Sequence, residues 1–345
     1  MRAKSIMSIK KLAEHLGLSK STVSRALNGY NDVNPATRQK VLAAAKALDY
    51  KPNPTAKRLA SGKSKNVGII LPANSRMFVS PGFSKVLAGA STFLAHHGYQ
   101  LIVTTITDCQ DENKVYSDFI DSGLIDGLFI VRTRNNDERI AMLKQKQFPY
   151  ICHGYDIGFE EDCFVDVDNE HAFYQMTKRQ LEHGHTRIAF LDAPIELTLS
   201  QARKRGYIKA MEEAGLCIDD RLLLNGELNE EDAIKMAKEV LSLAKRPTSI
   251  LCADDTMALG TIAACEELGY QPGVDIAIAG YGDYEHSRYG KPSITTLYYD
   301  THSVGEEMAK LMLNRLENKG FMIQNWFQAE IVARQSDKIT NEALT

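Results

Sequence analysis

Short apolar segments alternate with longer segments of helical periodicity from Asn66 to near the end of the chain, and this alternation constrains the fold most strongly. Runs such as Asn66–Leu71 and Gly127–Val131 have the length and composition of strands buried in a parallel sheet. Between such runs, apolar residues recur at helical spacing, as over Val86–Leu94, which supplies the crossover helices of βαβ units. The alternation starts again after Val165. The pattern therefore predicts an α/β architecture with two doubly wound lobes.

The chain order of these segments gives approximate bounds for the lobes. Lobe 1 is predicted to contain about residues 66–163 and 294–320, and lobe 2 about residues 164–293 and 321–336. Two such lobes with shared terminal segments form a cleft between them. Ligands of open α/β sheets bind beyond the carboxyl ends of the strands, so a small ligand is expected in this cleft.

Residues 1–52 have a different pattern, that of three short amphipathic helices. Ser8 can cap the first helix, and Gly17 can end it in a left-handed conformation. Ser19 can cap the second helix. Asn34 followed by Pro35 can begin the third, since asparagine is a good N-cap and proline fits the first turn. The predicted core of this all-α unit consists of Ile9, Leu12, Ala13, Leu16, Val23, Ala26, Leu27, Val41, Leu42, Ala45 and Leu48.

The N-terminal region also differs from the remainder in charge. Residues 1–65 contain 14 lysines and arginines but only three acidic residues, whereas the whole chain has a net charge of −3. A basic unit joined to an acidic body is expected of a polyanion-binding head, because neutralisation of phosphates supplies most of the non-specific affinity for DNA. A solvated basic surface would give the same charge, and a small structural or protein-binding bundle the same helices.

The second predicted helix has a polar face opposite its apolar stripe, formed by Lys20, Ser21, Ser24 and Arg25. Arginine can donate two hydrogen bonds to one guanine, lysine can donate to the same atoms, and serine can contact bases or phosphates. The spacing is therefore typical of a recognition helix in a major groove.

The segment from Ser8 to Asn28 ends in S-T-V-S-R-x-L-N and is followed by V-x-P-x-T-R-x-K-V. In both features it resembles the N-terminal signature of the LacI/GalR family of bacterial transcription regulators. The resemblance implies a helix-turn-helix DNA-binding domain over residues 1–52. It implies contacts to base edges from Lys20, Ser21 and Arg25. It implies contacts to phosphates, which fix the position on the duplex, from Ser19, Thr22, Ser24, Asn28 and Thr37.

Residues 53–65 connect this domain to the body. The stretch Thr55–Gly62 is too short to hold a helix alone in water, and by itself it is typical of a plain linker. The family resemblance implies instead a hinge helix that orders on the operator against its dimer mate. An apolar wedge in the minor groove would then kink the duplex. The implied positions are the cap Asn53, the close-approach residue Ala56, the phosphate contact Lys57 and the wedge Leu59.

For residues 66–345, the resemblance implies an effector-binding and dimerisation domain with a periplasmic-binding-protein-like core. Arg203 matches the arginine of the family's R-x-x-G-[FYW] stretch, which reaches the effector, and its planar fork suits paired hydroxyls or a carboxylate. Asp254 matches the family's N-D-x-M-A-x-G motif. Phe83 matches a ring that some members stack on ligand, although it would also be an ordinary core residue. Asp255 is expected to cap a helix.

Three further candidate effector residues come from positions that depart from the family pattern. Many members have aspartate directly after Gly-Tyr; here Gly282 comes first, so Asp283 either substitutes or the contact is lost. Leu228 stands where several members have an aromatic residue. Arg132 belongs to a group of charges at a strand end. This group resembles the subset of the family that regulates α-galactoside and α-glucoside use, and its other members are Arg134, Asp137, Glu138 and Arg139.

No motif supports an enzymatic function, since the sequence has no G-x-S-x-G elbow, no P-loop and no G-x-G-x-x-G after a strand. Asp166 and Asp168 could mimic a glycosidase pair, but without a matched carboxylate at a known separation the signal is weak. His183-Gly184-His185 is explained by a helix end with a glycine cap rather than by a metal site. We therefore expect no metal and no cofactor. The six cysteines are interpreted as reduced core residues.

The combined expectation is a repressor of carbohydrate-utilisation genes that binds a pseudo-palindromic, double-stranded DNA operator as a homodimer and is released by a sugar or oligosaccharide. One alternative is a co-repressor-dependent regulator or an activator with a non-sugar effector. Another is a solute-binding protein with the same core, but it would need an export signal and would leave the basic head without a role.

Ten residues follow the last predicted strand without heptads, which disfavours a tetramerising coiled coil. With no membrane-spanning run and no signal peptide, a cytoplasmic protein is expected, at the nucleoid when bound and without a membrane partner.

Overall fold

The computed structural model describes residues 8–27, 29–50, 62–73, 76–155, 163–317 and 324–338. The chain divides into two compact units, one ending at Ser64 and the other beginning at Lys65. Some of the residues to which DNA contacts are assigned lie outside the described ranges: Asn28, Asn53, Ala56, Lys57 and Leu59. Their assigned roles stay predictions.

In the part of the first unit that the structure describes, the regular elements are helices: α1 (Ile9–Leu16), α2 (Lys20–Leu27) and α3 (Pro35–Ala47). Local capping sets the bounds of α1. The Ser8 hydroxyl accepts a hydrogen bond from the backbone N–H of Lys11 at 3.3 Å. Gly17 then ends the helix at φ +63°, a conformation that favours glycine.

Helix α3 begins as the sequence predicts. Asn34 Oδ1 accepts a hydrogen bond from the backbone N–H of Ala36 at 2.9 Å, with Pro35 in the first turn. One core prediction is wrong: Leu42 is 48% exposed. It follows Val41 by one residue, and a step of one residue rotates a helical side chain by about 100° away from the buried stripe. The buried core of this unit consists of Leu12, Ala13, Val23, Ala26, Val33, Val41 and Ala45.

The second unit contains two six-stranded sheets, one in each lobe, which confirms the predicted fold class. Its strands are β1 (Asn66–Pro72), β2 (Gln100–Ile106), β3 (Gly127–Ile130), β4 (Tyr150–His153), β5 (Phe164–Val167), β6 (Ile188–Asp192), β7 (Leu223–Asn225), β8 (Ser249–Cys252), β9 (Ala277–Tyr281), β10 (Thr295–Tyr298), β11 (Gln324–Phe327) and β12 (Glu330–Val332). Its helices are α4 (Pro81–His96), α5 (Glu112–Asp121), α6 (Glu138–Gln145), α7 (Asn169–Glu182), α8 (Thr198–Glu213), α9 (Glu230–Leu241), α10 (Asp255–Glu267), α11 (Glu285–Tyr289) and α12 (Thr301–Leu316). Short 3₁₀ turns occur at Arg76–Phe78 and Asp220–Leu222.

The two sheets have matching strand orders. The sheet of lobe 1 runs β11-β5-β4-β3-β1-β2 and is parallel throughout. The sheet of lobe 2 runs β12-β10-β9-β8-β6-β7 and is parallel except for β12, which is antiparallel to β10. Because neighbouring parallel strands end at the same edge, each lobe presents one row of strand carboxyl ends.

The predicted lobe boundaries are wrong for three strands next to the crossings between lobes. Strand β5, placed in lobe 2 from the sequence, pairs with β4 in lobe 1. Strand β10, placed in lobe 1, pairs with β9 in lobe 2. Strand β11, placed in lobe 2, pairs with β5 in lobe 1. Chain order alone does not decide these cases, because which sheet receives a strand beside a crossing depends on pairing with residues far away in sequence.

Helices α4 and α12 pack against each other beside the sheet of lobe 1 at two glycines. A β-carbon on Gly89 would overlap the carbonyl oxygen of His302, and one on Gly305 would overlap that of Val86. The close approach of the two backbones therefore requires glycine at both positions. The core that they cover includes Val67, Ile69, Leu71, Phe129, Val304, Met308 and Met312.

Candidate functional site

Helix α2 presents a polar surface because its apolar stripe is buried. Val23 and Ala26 lie in the core of the first unit. Lys20, Ser21 and Arg25 are exposed, which places the three residues assigned to base edges on one accessible face. The residues assigned to phosphates are less uniform: Ser19 is exposed, whereas Thr22, Ser24 and Thr37 are partly buried.

Hydroxyl groups cluster at the N-terminus of α2. Ser19 Oγ accepts a hydrogen bond from the backbone N–H of Thr22 at 3.0 Å. The same oxygen lies 2.7 Å from Ser21 Oγ and 2.8 Å from Thr22 Oγ1. A helix N-terminus carries partial positive charge, so these hydroxyls lie where a phosphate is electrostatically favoured.

Arg25 is held at the other end of α2 by the turn that leads to α3. Its guanidinium forms an ion pair with Asp32, and both side chains are about half exposed. The guanidinium carbon also lies 5.7 Å from the centroid of the Tyr30 ring. Exposed ion pairs contribute little free energy, so this contact orients the arginine without preventing its exchange for a base edge.

A cavity of about 630 Å³ lies between the two lobes of the second unit. Its walls include residues at the carboxyl ends of β1, β3, β4, β5, β8 and β9, so it lies where both rows of strand ends meet. Five of the six candidate effector residues line it: Phe83, Arg132, Arg203, Leu228 and Asp254. The sixth, Asp283, is not among the lining residues.

Arg203 is buried in the wall of the cavity and held on several sides. Its Nε donates to Asn169 Oδ1 at 2.9 Å, and its NH1 donates to the carbonyl of Ala253 at 3.1 Å. The guanidinium carbon lies 4.5 Å from the centroid of the Tyr281 ring and 5.1 Å from that of Phe173. The planar group is thus fixed against two aromatic rings, which is the preorganised donor that a polar ligand requires.

Asp254 is the cap of α10, which corrects the expectation that Asp255 caps this helix. Asp254 Oδ1 accepts a hydrogen bond from the backbone N–H of Met257 at 2.8 Å. Burial raises the pKa of Asp254 to about 7. Asp254 therefore combines a structural role with a carboxyl group in the cavity wall.

Asp255 has turned into the protein interior. It accepts hydrogen bonds from the backbone N–H of Tyr284 at 2.8 Å, from Ser287 Oγ at 2.6 Å and from Thr296 Oγ1 at 2.6 Å. Burial raises its pKa, and these hydrogen bonds oppose the shift. It ties α10 to the turn after β9 and to β10.

Asp283 does not substitute for a ligand contact. Its carboxylate accepts a hydrogen bond from Arg288 at 2.6 Å and also pairs with Arg334. These two cations hold the pKa of Asp283 below its ordinary value although burial opposes the shift. The positive φ of Asp283, +49°, accompanies this inward orientation.

Polar contacts link the two lobes beside the cavity. The hydroxyls of Thr133 and Thr198 lie 2.7 Å apart and are buried, and the backbone N–H of Thr198 donates to the Thr133 carbonyl at 2.9 Å. Across the cavity, Arg132 NH2 lies 3.6 Å from Glu227 Oε2, and Arg76 forms an ion pair with Glu230. Lobe 1 and lobe 2 thus share buried and exposed polar contacts at this face.

Sequence reasoning missed His153, Tyr281, Tyr284 and Tyr299, which line the cavity, and named Asp166, another lining residue, only as part of a possible glycosidase pair. His153 and Asp166 lie at or near the carboxyl ends of β4 and β5, which is the signal that could have identified them. Asp166 accepts backbone hydrogen bonds from Tyr155 at 3.0 Å and Val167 at 2.8 Å. Burial raises its pKa.

The histidines of the His183-Gly184-His185 segment have protein partners. His183 Nδ1 lies 3.0 Å from the carbonyl oxygen of Asp337, and His185 Nδ1 lies 3.0 Å from Thr248 Oγ1. Burial lowers the pKa of His185 to about 4. Within the described ranges, no cluster of three or more potential metal-ligating side chains occurs.

The prediction that all six cysteines are core residues is wrong for two of them. Cys109 and Cys217 are exposed, because they lie in the connections before α5 and after α8. The buried thiols are Cys152, Cys163, Cys252 and Cys265.

Among the helices that the structure describes, none has the length and apolar character needed to cross a bilayer.

Two family models match the chain. "Bacterial regulatory proteins, lacI family" matches residues 8–53, and "Periplasmic binding protein-like domain" matches residues 177–336. The chain is 34% identical over 336 residues to the HTH-type transcriptional regulator AglR of Rhizobium meliloti, covering 96% of this chain and 94% of that protein. It is 30% identical over 315 residues to the HTH-type transcriptional repressor PurR of Proteus mirabilis, covering 90% and 91%.

Solved structures show the same architecture. A complex of the transcriptional regulator CelR with cellobiose matches with a TM-score of 0.75 and 26% identity, over 96% of this chain and 99% of that one. The lac repressor dimer bound to operator and the anti-inducer ONPF matches with a TM-score of 0.85 and 22% identity, over 97% and 100%. The second comparison establishes similarity of fold.

Proposed function

The chain belongs to the lacI family of bacterial regulatory proteins and is a DNA-binding transcription regulator, and from this premise we propose that it represses transcription as a sugar-responsive homodimer. The observation that carries the proposal is the presence in one chain of a capped helix with an exposed cationic face and a separate cavity of about 630 Å³ lined by Arg203 and Asp254.

On the DNA side, Lys20, Ser21 and Arg25 read base edges from α2. Each has a side-chain donor, and all three lie on the exposed face. The hydroxyls around Ser19 hold a phosphate at the helix N-terminus. One such helix reads few base pairs, so two copies related by a two-fold axis bind a pseudo-palindrome. In the hinge that the family resemblance implies, Leu59 enters the minor groove and Lys57 reaches a phosphate, while Asn53 caps the helix and Ala56 allows its close approach to the dimer mate.

On the effector side, a neutral sugar or oligosaccharide fits the cavity best. Arg203 supplies a guanidinium fixed in the cavity wall, Asp254 supplies a carboxyl group, and Phe83 and Tyr281 supply aromatic surface. Sugars need this combination because they expose both hydroxyls and apolar C–H faces. The complex of a similar regulator with cellobiose supports the same class of ligand. The sugar releases the operator because it binds more tightly to the arrangement of the lobes that holds DNA weakly.

The relatives of the chain are transcription regulators. We infer that this protein has no catalytic activity of its own and that the cavity serves binding alone. A regulator of chromosomal operators works in the cytoplasm, at the nucleoid while it is bound.

The test is selection of genomic DNA fragments by the purified protein, repeated with maltose, melibiose, sucrose, trehalose and cellobiose. We expect a pseudo-palindrome that is enriched without sugar and lost with one of the five. Enrichment of the site only in the presence of a sugar would mean that the sugar acts as a co-repressor rather than as an inducer. If no site is enriched under any condition, the operator-binding proposal fails.

Two variants separate base reading from general affinity. Arg25→Ala should relax specificity at one base position of the recovered site, at a cost of roughly 1–3 kcal/mol there. Lys46→Ala, an exposed change at the end of α3, is the control and should leave the preference at every position unchanged. Equal loss on the operator and on random DNA for Arg25→Ala would contradict its role at a base edge.

A further inference from the structure

The turn after β9 offers the cavity an aromatic ring rather than a carboxylate. The Asp283 carboxylate is occupied by Arg288 and Arg334. Tyr284, the next residue, lines the cavity and is 7% exposed. The side chain that this turn presents to a ligand is therefore the phenol ring of Tyr284, not the carboxylate of Asp283.

The Tyr284 ring lies where a side chain at residue 282 would lie, and this space is free because residue 282 is glycine. Gly282 has φ +119°, and a β-carbon there would lie 2.5 Å from Cε1 and 2.8 Å from Cζ of Tyr284. Any larger residue at 282 would displace the ring. The backbone N–H of Tyr284 also donates to the buried carboxylate of Asp255 at 2.8 Å. Both contacts fix the direction in which the ring leaves lobe 2.

The ring reaches across to lobe 1. A β-carbon on Gly82, in the first turn of α4, would lie 3.0 Å from the Tyr284 hydroxyl and 3.1 Å from Cε1. Ser80, the cap of α4, lines the same cavity. Tyr284 thus belongs to lobe 2 by sequence and contacts the start of α4 in lobe 1.

Polar groups of the cavity complement this ring. Asp254 and Arg203 line the cavity together with Tyr284. A sugar ring placed here could pack its C–H face on the phenol while its hydroxyls meet Asp254 and Arg203. Such a contact suits ligands with one apolar face and discriminates between epimers that differ on that face.

We propose that Tyr284 is a specificity-determining residue of the effector site, on which the apolar face of a neutral sugar ring packs. This inference rests on the proposed function of the cavity. Separation of the lobes would move the ring away from Gly82, so a sugar that contacts both lobes favours their closed arrangement. Tyr284 therefore sets which sugar binds and connects its binding to closure.

The experiment measures affinities of the full-length protein by titration calorimetry for the same five disaccharides. Tyr284→Ala removes the ring, Tyr284→Phe removes only the hydroxyl, and Tyr284→Leu keeps apolar bulk without a ring if the alanine variant does not fold. Tyr174→Ala is the matched control, because Tyr174 lies on α7 and does not line this cavity.

We expect Tyr284→Ala or Tyr284→Leu to weaken binding of the preferred sugar about tenfold or more. Either change should also reduce its advantage over a C4 epimer with the same linkage, added to the panel, as lactose for cellobiose or isomaltose for melibiose. Tyr284→Phe should weaken both by a similar small factor and keep their ratio. Tyr174→Ala should change neither. An unchanged ratio after loss of the ring overturns the inference while the effector site stands. If the wild-type protein binds none of the five sugars, the inference and the proposed sugar effector both fail.

Discussion

At the scale of single residues, Arg203 shows how a ligand contact is fixed before the ligand arrives. Two hydrogen bonds and two aromatic rings constrain its guanidinium within the wall of the cavity. Lysine carries the same charge but has neither the planar fork nor the stacking surface. The geometry of the group, rather than its charge alone, is therefore the property to test.

We expect Arg203→Lys to lower effector affinity about tenfold or more, because hydrogen bonds involving charged groups contribute roughly 1.5–3 kcal/mol. Operator affinity should persist. Calorimetric titration with the preferred sugar and a filter-binding assay on the selected operator measure the two quantities. Arg205→Lys, on the same helix but paired with Glu170 at the surface, is the control. Equal losses in both variants would contradict the role of Arg203.

Asp192 gives a prediction about pH, since burial raises its pKa from the ordinary 3.8 to about 7. The Arg203 guanidinium, 3.9 Å from Asp192 Oδ1, opposes this shift without cancelling it. The folded protein holds the proton more tightly than the unfolded chain does. The contribution of this bound proton to the free energy of unfolding is therefore fully present below about pH 4. It is lost as the pH rises through about 7, by up to about 1.4 kcal/mol per pH unit.

Asp192→Asn cannot ionise, so the variant should lose less stability than the wild type between pH 5 and pH 8. Urea unfolding followed by fluorescence of Trp326, the single tryptophan of the chain, measures the difference. Asp219→Asn is the control, because hydrogen bonds from Arg221 and Arg187 hold the pKa of Asp219 well below this range. A wild-type slope retained in Asp192→Asn would assign the pH dependence to another group.

At the scale of elements, local signals predicted helix starts well where one residue had the necessary chemistry. Ser8 and Asn34 are caps in the structure as they are in the sequence analysis. Asp254 and Asp255 show the limit, because both can cap and only the tertiary contacts of Asp255 with Ser287 and Thr296 decide between them.

The Asn34 cap can be tested directly. Asn34→Ala should destabilise α3 by about 1 kcal/mol, because the backbone N–H of Ala36 loses its side-chain acceptor. Hydrogen exchange of α3 amides in the full-length protein should then be about fivefold faster. Asn34→Asp keeps the acceptor and should restore most of the protection. The same loss in both variants would mean that the side-chain acceptor does not stabilise the helix.

The lobes could be predicted from the sequence only in outline. The alternation of strand and helix identifies two α/β lobes, and the family resemblance identifies Arg203 and Asp254 as effector candidates, both of which line the cavity. The sheets that receive β5, β10 and β11 follow from pairing across long stretches of chain, which periodicity does not encode. The sequence analysis did not identify Tyr284 as a cavity residue for a similar reason, since the position of its ring depends on Gly82 of the other lobe.

At the scale of the whole molecule, the Thr133–Thr198 contact links the two lobes, and in the proposed mechanism it stabilises their closed arrangement. Thr198→Val keeps the shape of the side chain but leaves the buried Thr133 hydroxyl without this partner. A loss of about 1 kcal/mol from the closed state should lower effector affinity about fivefold, because closure is part of binding. Calorimetric titration with the preferred sugar measures this change.

Thr177→Val is the matched control for this prediction. Thr177 Oγ1 donates to the carbonyl of Phe173 within α7 and does not cross between lobes. Loss of the Thr177 hydroxyl should lower the stability of lobe 2 and leave effector affinity near that of the wild type. The same change in affinity for Thr198→Val and Thr177→Val would show that the contact between lobes does not control closure.

The exchange of strands between the lobes has a consequence for how the protein is made. Lobe 1 lacks α12 and β11 until residues 301–327 have left the ribosome, and lobe 2 lacks β10 and β12 until almost the same moment. The helices that the structure describes in the first unit lie within residues 9–47 and have their core partners from the start. At bacterial elongation rates, the apolar faces of both sheets wait on the order of ten seconds or more for their final partners. During each round of translation, the nascent body is therefore a substrate for chaperones, and a premature stop near residue 300 would deprive both lobes of their completed cores.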